Sequence, residues 1–122
     1  MGIIATVVSP SAQMEWGAPF PSATMVSGPD HTKTVDAKTH VQECFLRYRF
    51  KSNASLSAIA DFYLHEGQAN KAVLFDDSES KIAGYRTLTF TKQKFMFVTL
   101  SQETGYVLGA VVFQVRSGCS QP

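Results

Sequence analysis

Only one stretch of this chain carries the apolar period of a helix, which points to a sheet with a single helical element. In SNASLSAIADFYLHEGQANKAVLF, Leu56, Ile59, Ala60, Tyr63 and Leu64 recur at i, i+3, i+4, i+7 and i+8, and Phe62 widens the stripe. A side-chain oxygen of Asn53 or Ser55 can cap the first turn, and Gly67 falls where a left-handed C-cap residue is wanted. The spacing predicts a helix of about three turns, near residues 54–66, packed on a sheet by one face.

The flanking sequence changes period from 3.6 to 2. In QECFLRYRFK, Cys44, Leu46, Tyr48 and Phe50 point one way while Phe45, Arg47, Arg49 and Lys51 point the other, as in a half-buried strand. Beyond the helix, KAVLF, YRTLTFT, KFMFVTL and YVLGAVVFQV read as strands, with turn chemistry in DDSES, KQK and SQETG. Such short connections favour an antiparallel meander. Residues 1–40 hold Pro10, Pro19, Pro21 and Pro29 besides Gly17 and Gly28, which disfavours helix and central strand. The expected organisation is an extended proline-rich arm over 1–40, a single domain over 41–116 and a short tail over 117–122. Its class is α+β, two-layer, with one helix packed on a mainly antiparallel twisted sheet of about five strands.

Bulk properties narrow the function. The chain has 122 residues, 44% hydrophobic and 17% charged, enough for one domain with a real core. A formal charge of +1 supplies no general attraction to nucleic acid or to a membrane surface. No membrane span is expected, because the aliphatic run Ile3–Val8 is far shorter than the roughly 20 residues a bilayer requires. That run leads into SPSAQ, as the second half of a secretory signal ends, but it lacks a basic n-region; an ordinary N-terminal strand or tail is the default reading and a targeting remnant the alternative.

A search for chemistry returns no constellation. His31, His40 and His65 lack the i, i+4 spacing of a helical metal pair, and DDSES lacks the Gly and closing Glu of a calcium loop. Asp61 and Glu66 fall beside or off the apolar stripe, and no nucleophile elbow or phosphate loop occurs. Asn53-Ala54-Ser55 matches a glycosylation acceptor, but cap chemistry explains the Asn better. The expectation is therefore no catalytic residue, no metal and no cofactor.

What remains is a surface. If Leu88, Phe90, Met96, Val98 and Leu100 face the helix, then Tyr85, Phe95 and Phe97 face away, joined by Phe45. With the basic row Arg47, Arg49 and Lys51 beside them, these residues form a candidate interaction surface. So much open apolar area calls for cover, either from the proline-rich arm, the preferred reading, or from a protein partner. The two cysteines add a second candidate. Cys44 opens the first strand and Cys119 follows the last, so a disulfide is within reach if those strands are antiparallel neighbours in an exported protein.

With these motifs in place, the chain resembles a loose group of small exported bacterial domains of unknown function. Those begin with a P-[YF]-P-x-A motif, matched by Pro19, Phe20, Pro21 and Ala23, and continue with a strand, a helix ending in Phe-Tyr, matched by Phe62 and Tyr63, and a meander. The likeness spans roughly residues 17–115; where the group often has Gly-Trp after the helix, this chain has Gly67-Gln68. The resemblance implies a periplasmic or envelope location and carries over no catalytic residue. The expected function is a non-enzymatic exported binding domain that meets a protein partner through its sheet. The alternative is an inhibitor or immunity protein that neutralises a secreted toxin.

Overall fold

The alternating runs assemble into one sheet, seen in a computed structural model that describes residues 16–79 and 84–115. The elements are β1 (Thr24–Val35), β2 (Gln42–Ser52), α1 (Leu56–Ala69), β3 (Val73–Glu79), β4 (Tyr85–Lys92), β5 (Lys94–Glu103) and β6 (Tyr106–Val115). Strands β3 to β6 form the expected meander, and β6 returns alongside β2, giving the order β1-β2-β6-β5-β4-β3. Every neighbouring pair is antiparallel.

The fold class needs correction. The α+β reading with about five strands gives way to a mainly β domain, with six strands in a single sheet and one helix. The additional strand is β1, 12 residues long, inside the segment read as an arm. Its prolines and glycines hid it. Pro29 sits between Ser27 and Asp30, where the register shifts, and on an edge strand the missing N–H removes no bond that the sheet needs. Gly28 has φ +89, and a Cβ there would lie 2.5 Å from the Arg47 carbonyl oxygen, so only glycine lets the bulged edge approach β2 so closely. The turn that follows is closed by Asp36. Its carboxylate accepts from the backbone N–H groups of Lys38 and Thr39 at 2.8 and 2.9 Å, which hold its pKa below the usual value.

DDSES also departs from expectation. Asp76 to Glu79 continue β3 past a bulge between Leu74 and Asp76, rather than forming the hairpin turn. An acidic, exposed edge strand resists pairing with stray chains, which gives these charges a place in a strand.

Helix α1 starts as its sequence dictates, with Ser55 Oγ accepting from Ala58 N at 3.1 Å. It does not stop at Gly67. It runs to Ala69, and Asn70 closes it through backbone and side-chain donation to the Glu66 carbonyl at 3.1 and 2.8 Å. Gly67 instead marks a close approach, because a Cβ there would lie 2.6 Å from the Phe90 ring. That ring is buried and held edge-on by Trp16 at 5.2 Å. Gly67→Ala should therefore destabilise the domain by about 1–2 kcal/mol, although Ala is the better helix former by about 1 kcal/mol. Urea unfolding measures the balance, and a gain in stability would mean that the Phe90 ring moves aside freely.

The core lies between α1 and one sheet face. Leu46, Tyr48, Phe50, Leu88, Phe90, Met96, Val98, Leu100, Val107 and Val111 meet Ile59, Ala60 and Tyr63 there. Tyr48 donates its hydroxyl to the Gly17 carbonyl at 2.6 Å, and the Tyr48 and Tyr63 oxygens lie 3.2 Å apart. Burial pushes both phenols above their ordinary pKa, so they stay neutral hydrogen-bonding groups. They also pin the residues before β1. Trp16 packs on Phe90, and Phe20 packs edge-on against Phe62 at 5.3 Å. The described part of the arm thus covers the helix side of the sheet. Residues 1–15, the remainder of the expected cover, lie outside the described residues.

Candidate functional site

The sheet face opposite α1 is built by alternation along the strands, interrupted by the bulges of β1 and β3. On β2 the buried residues Cys44, Leu46, Tyr48 and Phe50 leave Phe45, Arg47, Arg49 and Lys51 on the open side. On β4 and β5 the same parity places Tyr85, Thr87, Thr89 and Thr91, then Phe95, Phe97, Thr99 and Ser101 on this face, with Thr89 buried among its neighbours. All seven residues expected at the surface lie on this face.

The register arranges them in rows across the strands. One row crosses the whole sheet as Asp30, Arg47, Val112, Phe97, Thr89 and Asp76. A parallel row runs through Arg49, Ala110, Thr99, Thr87 and Ser78, and a third through Lys51, Leu108, Ser101 and Tyr85. Basic side chains thus line β2, small and apolar ones fill the middle, and an acid stands on β3. The rings cluster off-centre: Phe95 and Phe97 stack with centroids 5.9 Å apart and planes at 11°, and Phe75 meets Phe95 edge-on at 6.0 Å. Phe75, Tyr85 and Phe95 remain 68%, 42% and 39% exposed, an unusual concentration of large rings in water.

Among the described residues the basic side chains of this face make no close ion pair, although Asp30 stands opposite Arg47 in the register. Among the described residues the ion pair within 4 Å is Arg86–Asp77, a two-bond contact of 2.8 and 3.0 Å on the helix side. It holds the Asp77 carboxyl below, and the Arg86 guanidinium above, their ordinary pKa values. Arg47 and Arg49 have no such partner among the described residues. Lys51 lays its ammonium 5.5 Å from the centroid of the Tyr106 ring. The upper rim is tied by Gln114, which accepts from Phe95 N at 3.1 Å and donates to Glu43 at 3.3 Å.

Sequence reasoning missed Leu108, Ala110 and Val112 as part of this face, together with Phe75 and Asp76. A signal for the first three was present. YVLGAVVFQV is apolar on both sides, as in strands with cover on both faces, rather than alternating. Phe75 and Asp76 escaped because the β3 bulge breaks the period-two count.

Other candidates stay apart. Among the described residues no group of three His, Cys, Asp or Glu side chains could hold a metal ion. A shallow recess of about 220 Å³ lies between Ser22, Thr24, Lys51, Ser52, Asn53, Gly105 and Tyr106, and it brings no acid–base pair together. Among the described residues no helix is long and apolar enough to cross a membrane. Cys44 is fully buried opposite Val115, while Cys119 lies outside the described residues. No protein-family model, curated protein or solved structure matches the chain.

Proposed function

We propose that this chain is a non-enzymatic interaction domain of the cell envelope that binds a protein partner through its open sheet face. The observation that carries the reading is that one sheet face holds both the Phe75–Phe95–Phe97 ring cluster and the basic row Arg47, Arg49 and Lys51. Exposed aromatics beside arginines are the side chains that most often concentrate binding energy at protein interfaces. The face is rigid, since each residue sits on a strand paired on both sides except at the β1 and β3 edges. Rigidity lowers the entropy lost on binding. The envelope assignment is supported by the apolar run ahead of SPSAQ and by the presence of two cysteines, which an oxidising compartment could join.

A photo-crosslinking residue at position 97, expressed in the native cell, tests the reading. An adduct with a protein should form at 97 and be absent at the exposed helix position Ser57. Arg49→Glu should weaken that association about tenfold, the size of a modest interface contact. Equal adducts at 97 and 57, or none at either, would remove the open face as the binding surface.

A further inference from the structure

The open face is complementary to itself. Strand β5 is the middle of the five strands from β2 to β3, with β6 and β2 on one side and β4 and β3 on the other. A two-fold axis laid over β5 and inclined to it by about half the usual angle between stacked sheets brings two copies face to face, so that β5 meets β5, β6 meets β4 and β2 meets β3. In the central row Phe97 then meets Phe97, Val112 meets Thr89, and Arg47 meets Asp76 of the second copy. In the row above, Phe45 meets Val73, close to the exposed Phe75 ring. Apolar side chains face apolar or small ones at the axis, and a base faces an acid on both flanks. We propose that the partner of this face is a second copy of the same chain, in a two-fold dimer whose sheets sandwich across β5. This rests on the reading of the open face as a binding surface.

The geometry is consistent in detail. Stacked sheets lie about 10 Å apart with strands rotated by about 30°. At two strands from the axis that rotation displaces the rows by about 5 Å, close to the step of about 6.7 Å between alternate residues of a strand. Arg47 and Asp76 of the other copy, which share a row, therefore stay within one such step of each other. A formal charge of +1 sets up little repulsion between copies. Five strands and four rows cover about 19 by 20 Å, so the pair buries roughly 800 Å², the size of a weak, transient contact rather than of a standard interface. The dimer is therefore reversible and concentration-dependent. Strand β1 lies outside the overlap.

Charge exchange between copies tests it. Sedimentation equilibrium of the full chain from about 5 to about 500 µM should show the mass doubling. Arg47→Glu/Arg49→Glu alone sets acid against Asp76, and Asp76→Lys alone sets base against both arginines, so each variant should remain at the one-chain mass. An equimolar mixture of the two restores attraction on both flanks and should double the mass again. Phe97→Glu at the axis should also give the one-chain mass, and a native circular dichroism spectrum confirms that each variant is folded. A wild-type chain that stays at the one-chain mass overturns the proposal. So does a dimer that survives all these substitutions, which would pair through the β1 or β3 edge instead, or a mixture that fails to associate. A one-chain mass together with a crosslink from position 97 to a different protein overturns the second copy and leaves the binding reading standing. The same mass with no crosslink removes both.

Discussion

Phe50→Ala should destabilise the domain by about 3–5 kcal/mol and Gly109→Ala by about 1–3 kcal/mol, while the double variant should be no less stable than Phe50→Ala alone. The two residues face each other across β2 and β6. Phe50 is fully buried, with ring centroids of Tyr48 and Tyr63 at 6.2 and 6.4 Å. Its ring lies over the bare Cα of Gly109, where a Cβ would overlap three of its atoms. The ring cannot turn away, because the tyrosines on either side are tied together and Tyr48 is bonded to Gly17. Removing the ring opens a cavity; adding a methyl beneath it overfills the core. Done together, the methyl occupies part of the cavity, so the costs do not add. Urea unfolding of the four chains gives the coupling as a double-mutant cycle. Additive costs would mean that the strand pair shifts enough to separate the two sites.

That contact also shows where the sequence was legible and where it was not. Alternation in QECFLRYRFK correctly put Phe50 on the helix side and Arg49 on the open side, because period two is a property of the backbone and survives any neighbour. The helix stripe did the same for Ile59, Ala60 and Tyr63. Glycine was harder. Gly67 and Gly109 look like a cap and a weak strand residue, yet both are there because a ring from another element lies against them. Such contacts depend on strand order, which the sequence does not display. The same limit concealed β1, whose edge position makes its proline tolerable, and β3, whose bulge shifted Phe75 and Asp76 out of count. On the open face the rings and bases were readable strand by strand. Their alignment into a row with Val112 and Asp76 required β6 to lie between β2 and β5.

The same strand order brings the cysteines into play, and the remaining large prediction is that Cys44 and Cys119 form a disulfide in protein matured in an oxidising compartment. Strands β2 and β6 are antiparallel neighbours, and Cys44 stands opposite Val115, four residues before Cys119. Four residues suffice to turn a chain back toward the strand it has just left. Each thiol loses a proton, and the two electrons released pass to a disulfide oxidant by exchange. The bond would close a loop of 75 residues, from 119 − 44. Chain entropy then assigns it about 4 kcal/mol, an upper figure, since strain and residual structure in the unfolded chain subtract from it. Cys119→Ser is the informative variant, because Cys44 is fully buried and its replacement would disturb the core as well. Cys119→Ser should lower the melting temperature by about 10–20 °C, and added reductant should bring the wild type close to that value. Intact mass after alkylation supplies the independent readout. Two alkylated thiols without reductant, or a Cys119→Ser chain that melts with the wild type, would show that β6 ends without a covalent tie to β2, and would remove the cysteines as an argument for export.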